Sequence, residues 1–230
     1  MNLAQSDIGD PVGFTLARAL FAPDIAVAVT DPRASHHHPL AQESGAMARM
    51  APIRRRAYAA GRAAAHRAMT RLGRTVQPVL MTPDRAPLWP EGLAGSISHS
   101  QSCCIAAIGQ TSDVRAIGVD VEEDTRLDDD LTGIVCTQSE KAWLSTKSHD
   151  HAGVLAKLIF SAKECAYKCQ YPVSKTLFGF DTFDITPDLD TGQFEATFVR
   201  DVPHFRAGTH LHGRFAISGG LIVTAMALAA

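Results

Sequence analysis

From Leu155 to Cys169 the chain repeats apolar residues at one spacing. Leu155, Leu158, Ile159, Ala162, Ala166 and Cys169 fall on a single face when turned at about 100° per residue. A stripe this long must be covered by another layer, so it predicts a helix from about Ala152 to Gln170 laid against a sheet. Lys157, Ser161, Glu164 and Lys168 gather nearly opposite. Ser161 and Glu164 have capping-box spacing, but the apolar pattern begins well before them, so no helix start is expected there.

The sheets are predicted on either side of that helix. Upstream, Ile25 to Val29, Gly95 to Ser98, Cys103 to Ile108 and Val114 to Val121 read as strands, with a turn at Gln110 to Asp113. Downstream, Phe178 to Ile185, Gln193 to Val199, Leu211 to Ile217 and Leu221 to Leu228 form a β-rich tail. Helices are expected at Leu16 to Leu20, through the Ala-, Arg- and Met-rich stretch Ala41 to Leu72, and from near Thr137 past Glu140, Trp143 and Leu144. Pro52 either opens the second helix of the Ala-rich stretch or breaks it from the first. The proline-rich run from Pro78 to Gly95 reads as an ordered loop. Asp124 to Asp130 is acidic and poor in apolar residues, which makes it the natural link. The expectation is an α+β protein of two similar halves, 1–123 and 124–230, without a repeat at the residue level.

Bulk properties exclude more than they select. A formal charge of −2 gives no global reason for nucleic-acid or acidic-membrane binding. The five cysteines lack C-x-x-C spacing, and Cys165 with Cys169 reads as part of a buried stripe. No charged-then-apolar leader opens the sequence, and Leu221 to Ala230 is too short to span a bilayer, so a reducing cytoplasm is expected; a monomer is expected as well. His36, His37 and His38 cannot all face one metal from a regular element and read as a solvated loop.

Chemistry is suggested by Ile117-Gly118-Val119-Asp120-Val121-Glu122. On a strand, Asp120 and Glu122 share a face while Val121 points into the core. Two carboxylates so close repel each other unless a cation intervenes, and hard oxygen donors favour Mg²⁺ or Mn²⁺. A solvent-facing acidic strand edge fits the same residues. Likewise, Glu164 with Lys168 fits an ordinary i,i+4 surface pair as well as a third ligand beside an ammonium.

Five segments in order resolve these alternatives. They are Arg54-Arg55-Arg56 with Ala60-Gly61-Arg62; Pro87-Leu88-Trp89-Pro90; Gly95-Ser96-Ile97-Ser98-His99-Ser100; Gly118-Val119-Asp120-Val121-Glu122; and Phe160-Ser161-Ala162-Lys163-Glu164-Cys165-Ala166-Tyr167-Lys168. Together they resemble the 4′-phosphopantetheinyl transferases of the surfactin/enterobactin synthetase-activating type, with Trp89-Pro90 and the Arg-rich helix pointing to the enterobactin-synthetase branch. The resemblance implies transfer of the phosphopantetheine arm of coenzyme A to a serine of an apo acyl or peptidyl carrier protein, in a cleft between the halves, serving siderophore or other nonribosomal peptide or polyketide synthesis. It implies Mg²⁺, or Mn²⁺, on Asp120, Glu122 and Glu164. Glu164 would be general base, and Lys168 and Lys163 would meet the phosphoryl group. Arg54 and Arg62 would grip the 3′-phosphate. Ser98, His99 and Arg85 would add phosphate contacts, and Asp120 belongs to the same coenzyme A site. Ala57 departs from the acidic residue common before the helix aromatic, and Val121 cannot ligate. Rival readings are another metal-dependent phosphotransfer enzyme and a coenzyme A or carrier-binding module without turnover.

Overall fold

The computed structural model describes residues 11–230. Ten strands are grouped among these residues into sheets of three, five and two strands, and every pairing is antiparallel. The described residues begin with helix α1 (Pro11–Leu20), strand β1 (Ala26–Thr30), a single-turn helix α2 (Ala41–Ser44) and helix α3 (Pro52–Arg71). Pro52 stands in the first turn of α3, where its missing N–H costs nothing. Strands β2 (Leu80–Met81) and β3 (Pro87–Leu88) form a small hairpin inside the predicted proline-rich loop. Strands β4 (Leu93–His99), β5 (Cys104–Gln110) and β6 (Val114–Glu123) follow.

The second part holds α4 (Asp129–Val135), α5 (Gln138–Leu144), α6 (His149–Ser174), β7 (Phe183–Asp188), β8 (Gln193–Phe198), β9 (His210–Ser218) and β10 (Leu221–Ala229). Thr137 caps α5 and its carboxylate partner Glu140 closes a capping box. Helix α6 runs unbroken through Ser161 and Glu164, as the apolar spacing requires, and ends on Lys175 in the left-handed conformation, φ 52°.

Sheet order corrects one expectation. The three-stranded sheet is β1-β5-β4 and the five-stranded sheet is β6-β10-β9-β8-β7. β6 is thus not a strand of the N-terminal sheet. Its ladder partner is β10, in register Asp120 to Thr224 and Glu122 to Ile222. The division at 123/124 follows the acidic link in sequence, but hydrogen bonding assigns the strand before it to the C-terminal sheet.

Alternation along the strands sets the layers. Ala106 and Ile108 of β5 pack under Ala64, Ala65 and Ala68 of α3. Ile105 and Ala107, on the other face of β5, share a core with Ile117, Val119 and Val121 of β6. The opposite face of β6 takes α6, whose Leu158, Ile159, Ala162 and Cys165 are fully buried. All five cysteines are buried, and burial pushes the thiols of Cys104 and Cys169 up to about 12, which suits inert packing. His37 departs from the expected solvated loop: it is buried with a ring nitrogen 3.1 Å from the Asp31 carbonyl and its ring 4.3 Å from that of His36.

Candidate functional site

The site begins with a close approach. Gly118 lies beneath α6, and a Cβ there would sit 2.1 Å from the carbonyl oxygen of Cys165. Only glycine lets the helix come this near. The approach carries Lys168 to β6: its Nζ lies 2.6 Å from Asp120 Oδ1 and 2.9 Å from Ser98 Oγ. Ser98 in turn donates to Asp120 Oδ1 at 2.7 Å. Ser96 accepts from the Val119 N–H at 3.1 Å, so the edges of β4 and β6 are joined by serine hydroxyls.

Asp120, Glu122, Glu164 and Lys168 line one cavity of about 640 Å³. Arg54, Arg62, Arg85, Ser98 and His99 line it as well. Phe160, Tyr167 and Tyr171 supply an apolar wall from α6, with the two tyrosine rings stacked at 5.8 Å. Their spacing on one helix face was readable in the sequence. Arg85 holds a left-handed φ of 69° in the turn between β2 and β3, the kind of backbone strain that collects at functional sites.

Charge in the cavity is unevenly matched. Burial and the neighbouring Asp120 push the Glu122 carboxyl up to about 7, although Lys157 stands 3.7 Å away. Burial also raises Glu164, against the pull of Lys168. For Lys168 burial acts downward, but Asp120 and Glu164 overcome it and its pKa ends above the usual lysine value. Burial and the cations Arg54 and Lys168 hold His99 below the ordinary histidine range. Arg62 is 5% exposed, its guanidinium stacks 4.3 Å from the Tyr58 ring, and its Nε has no hydrogen-bond partner. Its Nη2 donates to the Leu80 carbonyl at 3.4 Å, and the unsatisfied Nε is a buried donor on a residue that lines the cavity.

Two expectations change. Lys163 does not enter the cavity. It is 1% exposed and its Nζ is held by Glu140 at 2.8 Å, the Val135 carbonyl at 2.8 Å and the Phe180 carbonyl at 3.0 Å. A phosphate contact would require dismantling that buried pair. The three acids face one cavity but are not gathered into a ready-made cage. Among the described residues no three His, Cys, Asp or Glu side chains are already gathered as an ion-holding group, so these carboxylates would have to draw together around an ion. Lysines supply the countercharge instead. The donor set still fits a hard cation in kind: it is all oxygen, and burial followed by the neighbouring carboxylates raises Glu122 and Glu164. Sequence reasoning also missed Ser161 as a buried residue and Glu140 as the partner of Lys163, since neither contact leaves a local spacing signal.

Comparison with known proteins decides the family. The model of the 4′-phosphopantetheinyl transferase N-terminal domain matches residues 42–109, and that of the 4′-phosphopantetheinyl transferase superfamily matches residues 116–222. The chain is 34% identical to 4′-phosphopantetheinyl transferase Svp of Streptomyces mobaraensis over 82% of its own length and 78% of the relative's. The chain belongs to the 4′-phosphopantetheinyl transferase superfamily. A second member, 4′-phosphopantetheinyl transferase PptT of Mycobacterium tuberculosis, is 30% identical over 83% of this chain and 86% of its own. Enterobactin synthase component D of Salmonella typhi is 36% identical over 58% of this chain and 55% of its own. In this transferase the family boundary near residue 110 falls between β5 and β6, where the sheets part. Among its described residues no helix is long and apolar enough to cross a membrane.

Proposed function

We propose that the cavity binds coenzyme A and that the chain transfers its 4′-phosphopantetheine arm to a serine of an apo acyl or peptidyl carrier protein. The observation that carries this reading is the single cavity in which Arg54, Arg62 and His99 face Asp120, Glu122, Glu164 and Lys168. Its volume of about 640 Å³ lies within the usual range for small-molecule sites. Arg54 is exposed on α3 and Arg62 is buried two turns on, so the pair offers one mobile and one fixed guanidinium to the 3′-phosphate. Ser98, His99 and Arg85 complete the phosphate contacts.

Asp120, Glu122 and Glu164 would hold Mg²⁺, or Mn²⁺, which supplies charge neutralisation to the pyrophosphate oxygens. Glu164 takes the proton of the carrier serine, directly or through a water. Its raised pKa makes it a better base than an exposed carboxylate. The serine oxygen forms a bond to the phosphorus bearing the pantetheine arm, and the bond from that phosphorus to the bridging oxygen breaks. Adenosine 3′,5′-bisphosphate leaves with the electron pair. Lys168 keeps its ammonium proton and stabilises charge on the transferring group. The enzyme would act as a monomer. The carrier proteins served would belong to siderophore or other nonribosomal peptide and polyketide synthesis in the cytoplasm.

Incubation of apo carrier domains with coenzyme A and Mg²⁺, followed by intact-mass measurement, tests the reading. A gain of one phosphopantetheine is expected on at least one carrier, and Glu164→Gln should lower the rate by about 10²–10⁴-fold with an unchanged fold. No gain on any carrier of a broad panel would reject it.

A further inference from the structure

Asp120 is held from two sides, and only one side faces the cavity. Its Oδ1 meets Lys168 and Ser98, both cavity residues. Its Oδ2 is turned into the protein, where Ser161 Oγ donates to it at 2.8 Å. Ser161 is 0% exposed, as is Thr224, whose Oγ1 lies 2.9 Å from Ser161 Oγ and 3.1 Å from the Ser161 carbonyl. Thr224 is also the ladder partner of Asp120 across β6 and β10. The two hydroxyls therefore form a buried bridge from β10 through α6 to the inner oxygen of an acid on β6.

Ser161 stands well inside a continuous helix that starts at His149, so its hydroxyl caps no helix end. The contact does one specific thing. It fixes the plane of the Asp120 carboxylate relative to the helix that carries Glu164 and Lys168, so that Oδ1, held by Lys168 and Ser98, is the oxygen turned to the cavity and the one an ion would have to share with them. Hydrogen bonds of this kind to a metal-binding carboxylate commonly govern affinity, because an unrestrained carboxylate must be ordered when the ion arrives.

We propose that Ser161, supported by Thr224, is a positioning residue that presents Asp120 to the cation through Oδ1 as a one-oxygen ligand. The inference rests on the reading of Asp120 as a metal ligand. The two are separable by experiment on the full chain with saturating coenzyme A, using electron paramagnetic resonance of free Mn²⁺ to measure its affinity. Asp120→Asn tests the ligand itself and should weaken Mn²⁺ binding strongly. Ser161→Ala should weaken it about 10- to 100-fold, with coenzyme A affinity unchanged. Ser161→Cys, which keeps a weak donor, should fall between and decides the matter if the alanine variant does not fold. Ser174→Ala removes another buried hydroxyl of α6, distant from Asp120, and should leave Mn²⁺ affinity at the wild-type value.

Wild-type Mn²⁺ affinity in both Ser161 variants, with loss in Asp120→Asn, overturns the positioning role alone. Wild-type affinity in Asp120→Asn overturns the ligand reading and the inference with it. An equal loss in Ser174→Ala and Ser161→Ala would reduce the effect to general loosening of α6 and also overturns the proposal.

Discussion

Adjacent residues of one motif, Lys163 and Glu164, have opposite fates. Glu164 faces the cavity, while Lys163 is sealed against Glu140. Helical spacing carried the distinction, because Lys163 lies one turn from both Ile159 and Ala166 and so shares their buried face. What the sequence could not reveal is the partner, since Glu140 belongs to a different helix and its pairing depends on how α5 docks. Glu140 also accepts from the Thr137 and Ile185 N–H groups at 2.7 Å each, so the pair joins α5, α6 and β7. Removing one member strands the other charge. Lys163→Met is therefore expected to cost about 3–5 kcal/mol of stability, read by urea unfolding. The double variant Lys163→Met with Glu140→Gln should recover part of that loss. A single variant as stable as wild type would show that the pair carries no net weight. Glu164→Gln, in contrast, should leave the urea midpoint near its wild-type value, because it lowers activity without touching the pair.

At the scale of elements, the apolar stripe of α6 was legible and so were most of the strands, because each has a period that local residues enforce. The partner of β6 was not. Its sequence neighbours are β4 and β5, and only the fold brings β10 from a hundred residues away. Gly118 shows how much depends on that arrangement, since β6 must meet both β10 and α6 there. Gly118→Ala puts a methyl 2.1 Å from a backbone oxygen that cannot rotate aside. The expected cost is at least about 1–3 kcal/mol, with activity falling further than stability because Lys168 moves off Asp120. Thermal unfolding and turnover of the same preparation check this, and a neutral substitution would mean that α6 can slide. A second element-level clip joins α2, α3 and the approach to β2. Glu43 is 1% exposed and accepts from the Leu40 and Val79 N–H groups and from His66 at 2.8, 2.7 and 3.0 Å. Burial works to raise its pKa, but His66 and the two backbone bonds outweigh burial and hold it below the usual 4.5. A depressed acid stabilises the fold above its unfolded pKa and loses that contribution as pH falls through the folded value. The stability gap between wild type and Glu43→Gln should thus be constant above about pH 5 and shrink below about 4.5, as read by urea midpoints across that range. A gap that widens toward acid would contradict the assignment.

At the scale of the molecule, the two larger sheets share no ladder among the described residues and meet at the edges of β4 and β6. Ser96, Ser98 and Lys168 supply the polar contacts of that seam, and Val119, Val121 and Ile105 the apolar ones. The proposed coenzyme A site straddles it, with Arg54 and Arg62 on α3 and Glu164 with Lys168 on α6. A ligand gripped from both sides adds its binding energy to the folded state only. At one hundred times its Kd, coenzyme A should stabilise the chain by about 2.7 kcal/mol. For a chain of this length each kcal/mol raises Tm by about 2–4 °C, so a rise of roughly 5–11 °C is expected. Dephospho-coenzyme A lacks the 3′-phosphate and should give a smaller rise at the same concentration. In Arg62→Ala the two rises should converge, because the buried guanidinium that distinguishes the ligands is gone. Scanning calorimetry on wild type and variant with both ligands makes the comparison. Equal rises in the wild type would mean that the unpartnered Nε of Arg62 answers to something other than that phosphate, and would separate the basic helix from coenzyme A recognition.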